Sequence, residues 1–209
     1  MPELPEVETS RRGIDPHVCN RQIHQVIIRE ARLRWPVDPQ IARILPGSQI
    51  TSTDRRGKYL LIYTSEGCLI VHLGMSGSVR IVEASEPVKK HDHIDIVLDN
   101  QTALRYHDPR RFGAMLWTTA PVLEHERLRH LGPEPLDESF DTSYLYRYSR
   151  SKKVPVKTFI MDSRVVVGVG NIYANEALYM AGISPKKESG TISRQRYERL
   201  VAAIKEVIA

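Results

Sequence analysis

Cysteine is scarce in this sequence, and acidic residues are outnumbered by basic ones. Its 25 Asp and Glu are outnumbered by 30 Lys and Arg, which leaves a net charge of +5 at neutral pH and an isoelectric point near 9.2. That balance suits a polyanionic partner, because a positive surface potential collects negative ligands. The two cysteines, Cys19 and Cys68, have no metal-like spacing and argue against both a disulfide framework and a cysteine-rich zinc site. No apolar run approaches the ~20 residues that a membrane span needs, and the N-terminus has no apolar signal-peptide core. A cytoplasmic protein without a membrane partner is therefore expected. Internal repeats and low-complexity tracts are absent as well. What remains is an ordinary globular composition, 41% apolar and 26% charged, in 209 residues, enough for one large or two small domains.

The first residues, Met1-Pro2-Glu3-Leu4-Pro5-Glu6-Val7, carry the sharpest chemical signal. Methionine before a small residue is normally removed, which leaves Pro2 with a free secondary amine beside the Glu3 carboxylate. An α-amino group has a reference pKa of roughly 7.7–8.0, against about 10.4 for lysine, so more of it is neutral and nucleophilic at pH 7. Pro5 suits the first turn of a helix, and Leu4, Val7, Arg11 and Ile14 fall on one face of that helix. Its positive end would disfavour protonation of the amine. The chain can thus open with an amine nucleophile, Pro2, and an adjacent acid–base group, Glu3. The competing reading is a frayed terminus.

Strands are expected at residues 22–30, 49–54, 58–64, 68–73, 78–83, 94–98, 103–107 and 114–118, with a short helix at 41–45 and tight turns at Gly67, Gly77 and Asp99-Asn100. Short strands with regular turn signals argue a β-sandwich or barrel. Near residue 120 the pattern becomes helical. Helices are expected at 123–131, 142–150, 156–161, 172–181 and from 194 onward, with Ser193 as an N-cap and Leu200, Val201, Ile204, Val207 and Ile208 as a buried stripe. Two domains follow, residues 1–132 and 133–209, joined through Pro133-Glu134-Pro135-Leu136-Asp137. The last apolar period runs to Ile208 with no capping residue, and reads as a chain cut inside an element.

Several internal stretches carry candidate chemistry. Asp54-Arg55-Arg56-Gly57-Lys58 is either a solvated basic turn or one that holds a phosphate and moves a proton. In His72-Leu73-Gly74-Met75-Ser76-Gly77, Met75 either packs in a core or is a wedge for the hole left by an extruded base. Asp108-Pro109-Arg110-Arg111-Phe112-Gly113 sets two guanidiniums and a ring at a loop tip, against the alternative of a buried ring and solvated arginines. His91-Asp92-His93, with His107 and Asp108, has no diagnostic ligand spacing, so no metal site is expected there; His93 and Asp95 are assigned to turns and sheet structure. Arg147, Arg150, Lys152, Lys153 and Lys157 form a basic cluster. It precedes Gly168-Val169-Gly170-Asn171, a glycine turn that would offer free N–H groups to an anion at a helix start. The third glycine and the acidic partner of a dinucleotide site are missing.

Together these stretches resemble formamidopyrimidine-DNA glycosylases, bacterial enzymes that excise oxidised purines. The resemblance is carried by MPELPEVETSRRGI, KYLLIY, HLGMSGS, KHDHIDIVL, LRYHDPRRFGAM, LGPEPL and VVGVGNIYANEALYMAGISP, in the family's order over nearly the whole chain. It implies an α+β fold, with an N-terminal β-sandwich flanked by helices and a C-terminal α-helical helix–two-turn–helix domain. It implies catalysis by Pro2, Glu3 and Lys58, through a Schiff base on Pro2 and β,δ-elimination. It implies DNA contacts by His72, Met75, His91, Arg110, Phe112, Lys152, Lys157 and Asn171. Of these, His72 and Asn171 would meet phosphates, Lys157 would lie near the base pocket, and Met75, Arg110 and Phe112 would enter the stack. The partner would be damaged double-stranded DNA, and the protein a monomer. Family members continue for roughly sixty residues more, with a four-cysteine zinc finger and a loop that closes over the extruded base. Neither is in this sequence, so no cofactor is expected of the chain, and weaker binding and impaired δ-elimination are. Two other readings stay open: a DNA-binding remnant that does not cut, and an endonuclease VIII-like glycosylase for oxidised pyrimidines. The PELPEVE start and the DPRRFG loop favour the purine enzyme over the latter.

Overall fold

The computed structural model describes residues 2–209; Met1, whose removal the sequence predicts, lies outside the described residues. The chain forms two compact units. One contains Pro2 and Glu6–His125, the other Glu3–Pro5 and Glu126–Ala209. Three residues of the N-terminus thus go with the helical unit.

Most of helix α1 (Leu4–Val18) belongs to the first unit, while Pro5 in its first turn goes with the other; there a missing N–H leaves no intrahelical bond unmade. Strands β1 (Ile23–Ile28), β2 (Ile50–Arg56), β3 (Tyr59–Thr64), β4 (Cys68–His72), β5 (Ser78–Glu83), β6 (Asp92–Leu98), β7 (Thr102–His107) and β8 (Ala114–Thr118) follow, with the single-turn helix α2 (Ile41–Ile44) after β1. They build two antiparallel sheets of four, in the orders β1-β6-β7-β5 and β2-β3-β4-β8. The period-2 alternation decides the faces. Leu60 and Ile62 of β3 lie opposite Val71 and Leu69 of β4, and Ile94 and Ile96 of β6 lie opposite Tyr106 and Leu104 of β7. All eight belong to one buried core, to which α1 adds Val7, Ile14 and Val18. The expected helical face is therefore split, because Leu4 packs in the core of the other unit.

The sheet β1-β6-β7-β5 also encloses charge. Asp95 of β6 pairs in register with Arg105 of β7, accepts from its Nε and Nη2 at 2.9 Å each, and accepts from Arg29 at 2.7 Å. The structural role expected of Asp95 is what this network provides, and His93 Nε2 likewise donates to the Asp108 carbonyl at 2.8 Å.

The helix expected at 123–131 does not form. A 3-10 turn at Val122–Glu124 is followed by irregular chain. Val122 and Leu128 are buried while Leu123 is exposed, so the buried positions are six apart and match no helical face.

In the helical unit, α3 (Thr142–Ser149), α4 (Val156–Met161), α5 (Asn171–Met180) and α6 (Arg194–Ile208) surround a core that includes Phe140, Leu145, Phe159, Leu178, Tyr197, Leu200 and Ile204. Ser193 caps α6 by accepting from the Arg196 N–H. Each fully buried Leu or Ile on the α6 stripe contributes roughly 1.5–3 kcal/mol.

Candidate active site and nucleic-acid interface

Glu3 is the most committed of the candidate catalytic residues in the helical unit. It is 1% exposed. One carboxylate oxygen accepts from Gly170 N–H at 2.8 Å, the other from Ile172 N–H at 3.0 Å. These amides open α5, where the first turn has no intrahelical acceptors. The glycine turn was expected to present free N–H groups to an anion; the anion it meets is the chain's own Glu3. Asn171, the first residue of α5, keeps an exposed side chain. Leu4 N–H donates to the Gly168 carbonyl at 3.3 Å, fixing the backbone next to Glu3. Pro2 precedes Glu3 directly and is partly buried.

In the sandwich unit, the two loops that carry Met75, Arg110 and Phe112 are fastened to each other. Met75 is 43% exposed and Phe112 46%, large apolar side chains left out of the core on adjoining loops. The Arg110 guanidinium lies over the Phe112 ring, 4.9 Å from its centroid. Gly74 has a φ of 62°, and a Cβ there would lie 2.4 Å from the Phe112 carbonyl carbon. Only glycine allows that approach. Beneath both loops sits Asp108, fully buried. It accepts from Ser76 Oγ–H at 2.8 Å on one oxygen, and from Gly113 N–H at 2.8 Å and Tyr106 O–H at 3.1 Å on the other. Burial pushes the Tyr106 phenol up, so it remains a donor. A third loop joins through Arg34 N–H, which donates to the Gly113 carbonyl at 3.0 Å. Sequence reasoning missed Ser76, Asp108 in this role, and Arg34. The available signal was an Asp-Pro turn with a glycine five positions after the Asp, the spacing over which this carboxylate holds its own loop.

Lys58 occupies the tight turn Gly57-Lys58 between β2 and β3 rather than the strand itself. It adds to the positive field at His72, whose pKa falls to about 4, first through burial and then through Arg34 and Lys58. The Tyr59 ring packs against the His72 ring at 4.9 Å between centroids. Gly74 N–H donates to His72 Nδ1 at 3.0 Å, which leaves the proton of the neutral ring on Nε2. His72 is thus an uncharged donor at neutral pH.

His91 has a φ of 75°, a conformation uncommon for non-glycine residues. Its pKa is lowered by burial and then by Lys90, His93, His107 and Arg111. The neighbouring Asp92 is bound to Arg80 (3.1 Å), Lys89 N–H (2.8 Å) and His107 Nδ1–H (2.9 Å), so its oxygens are used in a charge network. Among the described residues no group of three His, Cys, Asp or Glu could hold a metal ion. Cys19 and Cys68 are free thiols, and burial pushes that of Cys68 up to about 12. This donor set does not fit a zinc site.

The basic cluster of the helical unit separates on inspection. Arg150 stacks on Tyr146 at 3.9 Å and donates to the Ile192 carbonyl at 2.7 Å, a structural commitment. Lys152 is exposed, with Nζ 5.4 Å from the Tyr148 ring centroid, and Lys157 is partly buried on α4. Among the described residues no helix is long and apolar enough to cross a membrane.

Residues 1–115 match the family model of the formamidopyrimidine-DNA glycosylase N-terminal domain, and residues 131–209 that of the formamidopyrimidine-DNA glycosylase H2TH domain. The chain belongs to the formamidopyrimidine-DNA glycosylase family. It is 56% identical over 208 residues to the formamidopyrimidine-DNA glycosylase of Stenotrophomonas maltophilia, covering 100% of this chain and 77% of that relative. It is 56% identical over 209 residues to that of Pseudomonas aeruginosa, with the same coverage. Among solved structures, the Lactococcus lactis formamidopyrimidine-DNA glycosylase bound non-covalently to DNA containing an AP site superposes with a TM-score of 0.93 at 32% identity, over 99% of this chain and 80% of that one. The Thermus thermophilus protein superposes with a TM-score of 0.87 at 36% identity, over 99% and 74%. The α+β architecture, a sandwich unit and a helical unit, is that of the formamidopyrimidine-DNA glycosylase family.

Proposed function

We infer that this chain acts in base-excision repair as a DNA glycosylase and AP lyase on oxidised purines in double-stranded DNA. The observation that carries the reading is Glu3: a carboxylate locked by two backbone amides immediately after Pro2, in a chain 56% identical to named formamidopyrimidine-DNA glycosylases. Once Met1 is removed, the Pro2 nitrogen attacks the sugar C1′. The damaged base leaves with the electrons of its glycosidic bond; the Glu3 carboxylate takes the proton that the Pro2 nitrogen sheds and passes it to the ring oxygen, as the nitrogen lone pair forms the C=N bond and the C1′–O4′ bond opens. The resulting iminium acidifies the C2′ proton. Loss of that proton sends its electron pair toward the iminium, and the C3′ phosphate departs; a second elimination releases the C5′ phosphate. Lys58 is assigned to proton transfer and phosphate contact in these steps. No step runs through a metal.

On the DNA side, Met75, Arg110 and Phe112 are assigned to the stack around the extruded base, with Arg110 facing the orphaned one. His72, His91, Lys152, Lys157 and Asn171 are assigned to further contacts. Support comes from the exposure of Met75 and Phe112 on adjoining loops, and from the L. lactis relative, whose structures were solved with AP-site DNA and with N7-benzyl-Fapy-dG DNA. That relative was also solved with DNA containing an oxidised pyrimidine, so a lesion panel should include both base classes. We assign the chain a monomeric state and a cytoplasmic location.

The test is borohydride trapping on duplex DNA carrying the lesion. A covalent adduct is expected, weakened by Pro2→Gly and nearly abolished by Glu3→Gln. Salt-dependent duplex binding with no adduct under any condition would select a DNA-binding protein that does not cut.

A further inference from the structure

We propose that Ser76 and Asp108 are a positioning pair that locks the Met75 loop to the Arg110–Phe112 loop, so that the three side chains enter DNA as one rigid wedge and the base opposite the lesion is read strictly. The proposal rests on the assignment above that these side chains enter DNA. What carries it is the bonding of one buried carboxylate. Ser76, the residue after Met75, gives its O–H to Asp108 at 2.8 Å, and Gly113, the residue after Phe112, gives its N–H to the other oxygen at 2.8 Å. The Arg110 N–H donates in turn to Ser76 Oγ at 3.3 Å. A continuous chain of donors thus runs from the Arg110 backbone through the Met75 loop into Asp108. The close approach of Gly74 to the Phe112 backbone closes the arrangement from the other side.

Two loops tied in this way have lost their independent freedom before any ligand arrives. Loop ordering that would otherwise oppose binding is already complete. Asp108 is fully buried and acts only through the residues it holds; a tilt of Arg110 relative to Met75 would reach the orphaned base as a misplaced hydrogen-bonding fork. Neither member of the pair is a catalytic residue.

The experiment uses the full chain on a duplex with a tetrahydrofuran abasic analogue, which lacks the C1′ hydroxyl and cannot form an iminium, opposite 2-aminopurine. Insertion beside 2-aminopurine unstacks it and raises its fluorescence. Ser76→Ala is expected to lower the saturating fluorescence rise at least threefold relative to wild type, an effect of the order of ~1 lost hydrogen bond to a charged acceptor. The same variant should narrow the spread of lesion-incision rates over the four opposite bases by about tenfold. Asp108→Asn, which turns one acceptor into a donor, should do both at least as strongly. Thermal unfolding on the same samples separates positioning from stability. An unchanged midpoint with reduced fluorescence and a narrowed spread supports the pair. A lowered midpoint with wild-type fluorescence and spread overturns it, as does no change in any of the three for Ser76→Ala. No wild-type fluorescence rise, with borohydride trapping intact, overturns the wedge and leaves the lyase reading standing. A normal rise without trapping removes the lyase reading, and the Ser76→Ala amplitude still decides the pair.

Discussion

The Glu3 carboxylate and the Gly170 amide are hydrogen-bonded at 2.8 Å across 167 residues of sequence. Gly170 comes so close that a Cβ there would lie 2.3 Å from Glu3 Cδ. Gly170→Ala should therefore push the carboxylate off both amides. The expected loss is about 1–3 kcal/mol of stability by overpacking, read in urea unfolding. The rate of borohydride trapping should fall by about a hundredfold, the effect of roughly an ångström of misplacement at a reacting group. A variant that traps at the wild-type rate would show that Glu3 need not be held there.

His72 should not titrate near neutral pH. With its pKa held at about 4 by burial, Arg34 and Lys58, the folded state favours the neutral ring. That contribution to stability is complete above the unfolded value near 6.5 and is lost as pH falls from there toward 4. The His72 ring signals in an NMR titration should stay flat from pH 8 to pH 5. The salt slope of DNA binding should be the same for His72→Gln as for wild type, since no phosphate charge is neutralised by an uncharged ring. A midpoint above 6 in the titration refutes both.

Asp95→Ala should be among the most damaging single changes in the sandwich unit. Burial pushes the Asp95 carboxyl up, but hydrogen bonds from Arg105 and Arg29, with their charges, outweigh it and hold the group below the ordinary carboxylate range. Removing the carboxylate leaves Arg105, which is fully buried, without its main partner. A loss of about 3–5 kcal/mol is expected in denaturant unfolding. A loss under 1 kcal/mol, read on the same ~3–5 scale, would mean that water or Asp92 takes over the guanidinium.

Glu8 makes the stability of α1 sensitive to acid. Arg11 grips it with two bonds, at 3.0 and 2.8 Å, and Arg12 adds a third at 2.8 Å. The Arg11 hydrogen bonding comes first in lowering its pKa to about 2, against opposition from burial. The stabilisation is present above the unfolded value near 4.5 and is lost as pH falls through that value toward 2. Glu8→Gln should cost about 1–2 kcal/mol at pH 7, with screening of the exposed Arg12 taken into account, and little at pH 2. Equal losses at pH 7 and pH 2 would point to packing instead of charge.

The sandwich was legible because its short strands are divided by regular turn signals such as Gly67, Gly77 and Asp99-Asn100. The helix misread at 123–131 shows where local pattern fails. Leucines spaced among Glu, His and Arg imitate a helical stripe, and only the tertiary structure shows that Leu123 has nothing to pack against. The loop tips bearing Met75, Arg110 and Phe112 stood out by composition. The Ser76–Asp108 tie beneath them did not, because its members are 32 residues apart and each has an ordinary local explanation. The turn at Gly170 was read correctly as an anion receptor and wrongly as a vacant one. Its anion arrives from the opposite end of the chain, a distance over which local pattern carries no information. Arg150 looked like one more solvated cation; the helix expected at 142–150 sets it one turn from Tyr146, but its bond to the Ile192 carbonyl, 42 residues away, has no local signal.

Glu3 is made 167 residues before Gly170, whose amide it completes, and Leu4 is likewise made long before the core it enters. Leu4 fills a place in a core otherwise built from residues 140–208, and Glu3 supplies the acceptors for the amides of residues 170 and 172. On a ribosome that emits the N-terminus first, the helical unit cannot close until these two widely separated segments have met. A polypeptide of residues 126–209 would lack both pieces, with a leucine-sized hole in its core and two amides at the start of α5 short of an acceptor. On the proposed assignment the order of folding is tied to the reaction: the carboxylate beside Pro2 reaches the amides of residues 170 and 172 only once the helix that receives it exists.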